Sequence, residues 1–429
     1  MIARADAAAT LDALTLRDLA FAAGADDAGF VSIDNPALDD QRAEILAAFP
    51  FARTLISFVV RMSRENLRSP ARSLANHEFH HAGADCDETA HALARALEAR
   101  GVRAGFAPAG FPMEADRWPG KLWVIAHKPV AVAAGLGLMG IHRNVIHPKF
   151  GNFILLGTVA IDVDVAHVCA PIDDNPCLEC KLCVAACPTG AIAADGHFDF
   201  AACYTHNYRE FMGGFVDFVE TVAEAKSARD YRGKRADSET VSMWQSLAYK
   251  PNYKAAYCLA VCPAGEDVIG AYRSDKAGFL RDIVDPLRKK AETIYVSAGS
   301  DAEEYVARRL PHKKIKRVGS VLRPANVDSF LAALTHVFQR NQSAGLDAAY
   351  HFTFTGAWPR QATIAISNRK IDVRDGLVGA ADLAVVADGE TWIRFLRKEA
   401  SLPWALISRR IRLKGDPRLL AAFGRCFPA

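Results

Sequence analysis

The sequence predicts a mixed α+β protein of two or three domains, and three observations carry that reading. Apolar runs of the kind that form buried strands, T-L-I-S-F-V-V near residue 54 and G-N-F-I-L-L-G-T-V-A-I-D from Gly151, alternate with helical patterns early in the chain. A cysteine-dense stretch interrupts the chain between Cys177 and Cys262. After Pro324, Y-H-F-T-F-T and T-I-A-I-S alternate with period two, as half-buried antiparallel strands do. A length of 429 residues suits two or three domains at roughly 100–200 residues each.

Residues 15–33 predict a short helix, a stop at Gly24 and a strand G-F-V-S-I. From Asp87, Leu93 and Leu97 lie one turn apart with Gly101 beyond them, a helix with a C-terminal stop. The charged stretch between Cys203 and Cys258 favours helix, either a cover for the cysteine region or a solvated face. From Glu292 the pattern is strand, helix, strand, with Ser300 as N-cap and Glu303 three residues on. The basic run 313–317 predicts a surface or linker segment, since no aromatics interleave it. Asn326 caps a helix with Phe330, Leu334, Val337 and Phe338 on one stripe. The expected domains are 1–165, a sheet-containing reductase-like domain; 166–275, a ferredoxin-type module inserted at its edge; 276–325, a connecting strand-helix-strand segment; and 326–429, a small α+β domain.

Hydrophobic residues make up 51% and charged residues 24%, ordinary for a soluble globular chain. Lysine and arginine exceed the acids by three, so there is no global basic field and nucleic acid is not the expected partner. Seven of the ten cysteines fall between Cys177 and Cys262, which fits a reducing cytoplasm better than a disulfide scaffold. The alanine-rich start carries acids and lacks a long apolar core, so no signal peptide is expected. No apolar run approaches the roughly 20 residues of a membrane span.

The run C-L-E-C-K-L-C-V-A-A-C-P from Cys177 to Pro188 has the spacing that wraps a cuboidal iron-sulfur cluster. Cys177, Cys180 and Cys183 curl around one cluster, and Cys187, followed by proline, points to a neighbouring one. A half-motif, C-L-A-V-C-P from Cys258 to Pro263, supplies the return, so Cys262 is expected to complete the first cluster. The competing reading is a tetrahedral zinc site, which rarely uses this spacing.

At this motif and before it the chain resembles the epoxyqueuosine reductase and reductive dehalogenase group. The resemblance rests on A-A-G-L-G-L-M-G-I-H-R-N at Ala133 to Asn144, G-N-F-I-L-L-G-T-V from Gly151, the cluster motif running on into T-G-A-I, the lone Cys203, and C-L-A-V-C-P, over roughly the first 270 residues. It implies a cobalamin-dependent enzyme with two [4Fe-4S] clusters, and it nominates Gly135, Gly137 and Gly140 for the cofactor. Two departures stand out. The second motif of that family reads C-x-x-C-x-x-x-C-P, whereas Ala255 replaces its first cysteine here. The second cluster is left with Cys187, Cys203 and Cys258, as a three-iron cluster, a four-iron cluster with another ligand, or none. Cys169 is a candidate substitute or a small buried thiol. That family also uses an aspartate before the glycine segment as proton donor, and W-P-G-K-L-W-V-I-A-H-K-P has no carboxylate.

The C-terminal domain resembles the sterol carrier protein type 2 fold through I-S-N-R-K-I-D-V-R-D-G, A-D-L-A-V-V-A-D and R-L-K-G-D-P. That fold implies an apolar tunnel for lipids, with Phe352, Phe354, Trp392, Phe395, Leu396 and Trp404 as lining candidates, against ordinary core packing for each.

Together these imply a reductase that takes electrons from a ferredoxin or flavodoxin-type donor and acts on a hydrophobic or lipid-like molecule. The alternative is an electron-transfer and lipid-binding adaptor for a partner enzyme. Proton-donor candidates are His127, Lys121, His142 and Tyr204, histidine being favoured because it titrates near neutrality. His77, His80 and His81 are assigned to surface or packing.

Overall fold

A computed structural model describes residues 11–166, 168–319 and 323–428. The start of the chain, where a signal peptide was considered, lies outside the described residues through residue 10. The fold is mixed α+β, as the sequence predicts. Two compact units emerge: residues 1–186, 194–196 and 256–288 form the first, and residues 187–193, 197–255 and 289–429 the second.

The first unit is built on a four-stranded antiparallel sheet in the order Asp27–Ser32, Thr54–Arg61, Ile154–Ile161, Ala104–Ala107. Thr54–Arg61 is an inner strand covered on both faces, which is why its sequence is an unbroken apolar run rather than an alternating one. Ile56 and Phe58 face the helices Ala13–Ala22 and Arg72–Glu98 through Leu16, Ala20, Leu93 and Leu97. Leu55 turns the other way, onto Leu38 and Val130, and Val59 onto Leu136 and Ile154. Each such burial is worth about 1.5–3 kcal/mol.

The helix expected from Asp87 begins earlier and runs Arg72–Glu98. Its first half buries Ala75, Asn76 and Ala82, residues too small or polar to write an apolar stripe into the sequence. The rings of His77 and His81 meet edge to face at 4.4 Å, the contact expected of positions four apart on a helix.

In the second unit the stretch after Cys203 folds into the helices Gly213–Ala223, Ala228–Lys234 and Asp237–Tyr249. They enclose ionic clusters rather than only presenting a solvated face. Arg209 and Arg235 are both buried and both donate to Asp217 Oδ2. Buried Glu210 accepts from Asn252 at 3.0 Å and from Ser246 at 2.5 Å.

Thr293–Ser297 and Lys314–Val318 pair in parallel around the helix Asp301–Arg309, the predicted strand-helix-strand. Ser300 Oγ accepts from the Glu303 N–H at 3.3 Å. The basic run 313–317 is not a linker. It enters the second strand, and its charges meet carboxylates of the same unit: Lys313 donates to Glu292 at 2.6 Å, Arg317 to Glu303 at 2.5 Å, and Lys316 to Glu239.

A five-stranded sheet closes the unit in the order Lys370–Asp375, Arg360–Ser367, Ala348–Thr355, Leu383–Asp388, Ile411–Gly415, with one parallel pair between the third and fourth. Tyr350, Phe352 and Phe354 point inward, as the period-two pattern requires. The helix Val327–Val337, whose cap Asn326 Oδ1 accepts from Ser329 N–H at 2.8 Å, lays Phe330 and Leu334 onto that face. Phe338 is also buried but follows the helix end rather than extending its stripe.

The tunnel candidates divide. Phe352, Phe354 and Trp392 are fully buried and pack on one another with ring centroids 5.4–6.1 Å apart. Phe395 and Leu396 are half-buried against the same core. Trp404 is a correction: it is 50% exposed on the short helix Leu402–Ile407, whose buried anchor is Ala405. An indole that faces solvent lines no interior. Among the described residues, no helix is long and apolar enough to cross a membrane.

Candidate metal centre

Five of the motif cysteines belong to the first unit: Cys177, Cys180, Cys183, Cys258 and Cys262. The loop that carries the first three curls because Glu179 and Lys181, flanking Cys180, hold left-handed backbone with φ of 49° and 61°. Such conformations cost a non-glycine residue about 1–2 kcal/mol each. They bend the chain on either side of Cys180. Asn175 Oδ1 accepts the Cys177 N–H at 2.9 Å and fixes the loop's entry. Cys183 rides on the helix Leu182–Ala186, which packs against the helix Tyr257–Ala260 carrying Cys258. The second motif enters that helix through Ala256, also left-handed at φ 56°.

Cys177 packs against an apolar cluster of Ile146, Cys262 and Ala264. Burial pushes the Cys262 thiol up to about 12, and the neighbouring charges of Cys180, Cys177 and Cys258 push it the same way. The Cys183 thiol is raised by burial and by Cys258, Cys262 and Cys180. The two motifs therefore meet, and Cys177, Cys180, Cys183 and Cys262 share one neighbourhood, with Cys258 beside them. Among the described residues no three His, Cys, Asp or Glu side chains stand close enough to hold a single metal ion. A cuboidal cluster takes one thiolate per iron, so its ligands need not converge on a point.

This donor set fits an iron-sulfur cluster on a second count. The Arg68 side chain is only 12% exposed, and its Nε and Nη2 are buried with no hydrogen-bond partner. Its electrostatic neighbours include Cys262. A buried cation with unused donors beside a thiolate suits an anionic group. Sequence reasoning missed Arg68 because nothing local marks it.

Cys187 and Cys203 belong to the second unit. Thr189 Oγ1 lies 3.7 Å from Cys187 Sγ, a hydroxyl on the thiol that only the T-G after the motif foreshadows. Cys203 sits in the helix Phe200–Asn207, capped by Asp199. Cys169 is engaged in the first unit: its N–H donates to Phe30 O at 2.9 Å, and its Sγ is 3.5 Å from the Phe30 N–H. That leaves it a packing thiol of the sheet edge.

The nominated glycines serve the chain's own packing. A Cβ on Gly135 would meet the Ala170 carbonyl oxygen at 2.5 Å, and one on Gly137 the Ile146 carbonyl oxygen at 2.3 Å. At Gly140 it would meet the Ile146 and His142 side chains at 2.7 and 2.9 Å. Their missing side chains make room for backbone and neighbours and do not leave a cradle for a corrin.

The proton-donor candidates are dispersed. His127 is buried, with Nδ1 2.8 Å from Thr158 Oγ1 and Nε2 3.0 Å from Pro108 O, and burial lowers its pKa. His142 is pushed down to about 4 by burial, and both its nitrogens are engaged, by the Asn144 N–H at 3.1 Å and Asn152 Nδ2 at 3.2 Å. Lys121 is at the surface, paired with Glu44. Tyr204, in the second unit, stacks between Phe200 and Tyr208, and its OH is 3.4 Å from the Gly213 N–H.

No protein-family model matches the chain. It is 33% identical over 92 residues to an epoxyqueuosine reductase of Vibrio cholerae, and 28% identical over 120 residues to one of Bacillus anthracis. These matches cover 21% and 25% of this chain and 24% and 31% of the relatives. Among solved structures, a catabolic reductive dehalogenase in complex with 3-bromo-4-hydroxybenzoic acid aligns at 15% identity and TM-score 0.39, covering 66% of this chain and 39% of that one. An epoxyqueuosine reductase solved with a tRNA stem loop aligns at 16% and 0.32, covering 47% and 57%. A sterol carrier protein 2-like protein of Aedes aegypti aligns at 20% and 0.20, covering 23% of this chain and 88% of that one. Likeness in shape at these scores does not bear on activity. The chain is thus similar to epoxyqueuosine reductases over about a fifth of its own length, and spans about a quarter of theirs.

Proposed function

We propose that this protein is an iron-sulfur oxidoreductase whose first cluster is held by Cys177, Cys180, Cys183 and Cys262. The observation that supports the reading is the nearness of two cysteine motifs, distant in sequence, within the first unit, where Cys180, Cys177 and Cys258 are electrostatic neighbours of Cys262. A [4Fe-4S] cluster bound there supplies one-electron transfer at low potential. The protein's part is to hold and shield it. Cys183 and Cys262 are buried, whereas Cys177 and Cys180 are half-buried, so one side of the loop stays accessible to a ferredoxin or flavodoxin-type donor. Of the cysteines expected for a second cluster, the second unit holds Cys187 and Cys203. The acceptor is a hydrophobic or lipid-like molecule, in keeping with the aromatic interior of the C-terminal sheet. RNA is the other class to assay, since the relatives matched by sequence are epoxyqueuosine reductases. No step is assigned to a cobalamin, because the glycines nominated for it are spent on packing.

The adaptor reading is favoured by a specific observation: His127 and His142 are both buried and engaged, so neither of these two candidates is poised to deliver a proton. The two readings part on one experiment. Anaerobic protein reduced by a flavodoxin-type donor should bleach its cluster absorbance, and a Cys180→Ala variant should not. Recovery of the oxidised spectrum on adding organohalide, epoxide or lipid substrates then marks an enzyme. Bleaching without recovery on any of them marks the adaptor, and no bleaching overturns both.

A further inference from the structure

Arg68 ends the short helix Arg64–Arg68, and this helix packs against Tyr257–Ala260, the turn that leads into Cys262. Its neighbour Leu67 shares an apolar cluster with Phe153, Leu259 and Val268. The guanidinium is held over two aromatic faces, 5.3 Å from the Phe153 ring centroid and 5.5 Å from that of Phe279. Among the described residues its one ion pair is poor: Nη1 lies 3.8 Å from the carboxylate of Glu65, which is 88% exposed. Nε and Nη2 are buried and unpartnered. A guanidinium cannot give up its proton to escape this situation. Two buried unsatisfied donors cost about 1–3 kcal/mol each.

We propose that the Arg68 guanidinium is the counter-charge and hydrogen-bond donor to the sulfur side of the cluster that Cys262 ligates, and that it raises the reduction potential of that cluster. This rests on the reading of Cys262 as a ligand. An iron-sulfur cluster gains negative charge on reduction, so a fixed cation with free N–H groups beside it stabilises the reduced state more than the oxidised one. Hydrogen bonds to cluster sulfurs and net local charge are the protein's ordinary controls on such potentials. Arg68 is a positioning residue that acts through the cluster and touches no substrate.

The test is a potentiometric titration, followed by electron paramagnetic resonance, of the full chain loaded with its clusters without oxygen. Arg68→Gln removes the charge and keeps the length; Arg68→Lys keeps the charge and loses the fork. The expected result is a midpoint lowered in Arg68→Gln by about tenfold in the reduced-to-oxidised ratio, about 59 mV for one electron, with a smaller shift in Arg68→Lys. Wild-type iron content and a wild-type midpoint in Arg68→Gln overturn the proposal. So does failure of that variant to fold by circular dichroism, since the donors would then be serving the protein itself. A folded Arg68→Gln that loses iron must be rescued by Arg68→Lys, and failure of that rescue also overturns it. Cys262→Ser separates the two readings: unchanged iron, spectrum and midpoint in that variant refute the ligand assignment and not the arginine's place beside it.

Discussion

The backbone N–H of Ala255 donates to Oδ1 of Asn207 at 3.0 Å, and Asn207 lies one helical turn beyond Cys203 on the same helix. Residue 255 therefore faces the helix that carries a proposed ligand of the second cluster, at the place where the resembling reductases have a cysteine. Alanine there is buried and contributes no thiolate. Ala255→Cys is expected to supply it. Iron per chain should rise, by about one atom if a three-iron cluster is completed to four. Iron content measured on protein purified without oxygen checks this, and equality with wild type contradicts it.

Cys180 lies in the turn formed by left-handed Glu179 and Lys181, whereas Cys86 is buried in the helix Arg72–Glu98 within the apolar core of the first sheet. Cys180→Ala is expected to remove most of the iron of one cluster, about four atoms per chain. Cys86→Ala should leave iron unchanged and cost only stability, on the order of 1 kcal/mol. Equal iron in the two variants contradicts the ligand set.

Asp199 caps the helix of Cys203 by accepting the Ala202 N–H at 2.9 Å, and Gln339 Nε2 lies 3.4 Å from its other oxygen. Burial pushes its carboxyl up to about 6, with the charge of Asp301 adding to the shift. The folded state thus binds the proton more tightly than the unfolded state. Stability is untouched below about pH 4 and falls as pH rises toward 6, by an amount on the order of 2 kcal/mol. Asp199→Asn keeps the cap and removes the titration. Its melting temperature should match wild type near pH 4 and exceed it at pH 7. Parallel melting curves against pH contradict this.

Arg209 and Arg235 share the single carboxylate of Asp217, Arg235 at 2.5 Å, and both guanidiniums are buried. Asp217→Asn leaves two buried cations facing each other. The expected loss is about 3–5 kcal/mol, the usual cost of breaking a buried pair by removing one partner. Urea unfolding measures it, and a loss under about 1 kcal/mol would place the pair at the level of surface bridges.

Local pattern explains which parts of this fold were legible. The run T-L-I-S-F-V-V, the caps Ser300 and Asn326 and the alternation Tyr350–Phe352–Phe354 each state their structure within a few residues, and each is found. The cysteine motifs were equally local, and the structure brings Cys177 against the apolar cluster that contains Cys262. Three-dimensional placement was not local. The basic run 313–317 took carboxylates at Glu239, Glu292 and Glu303, which its own sequence does not contain. Gly135 and Gly137 look like a cofactor loop until Ala170 and Ile146 are seen against them. Trp404 looked like core because tryptophan usually is, yet its helix turns Ala405 and Leu402 inward and leaves the indole half exposed. Arg68 carries no signal of its own, since its role is set by a thiol in another motif.

The most direct test of the central claim is iron and cobalt per chain by elemental mass spectrometry, on full-length protein made and purified without oxygen in cells supplied with cobalamin. The account predicts at least about four iron atoms per chain, lost together in Cys177→Ala and Cys262→Ala. One zinc per chain with no iron, unchanged by either cysteine substitution, contradicts it.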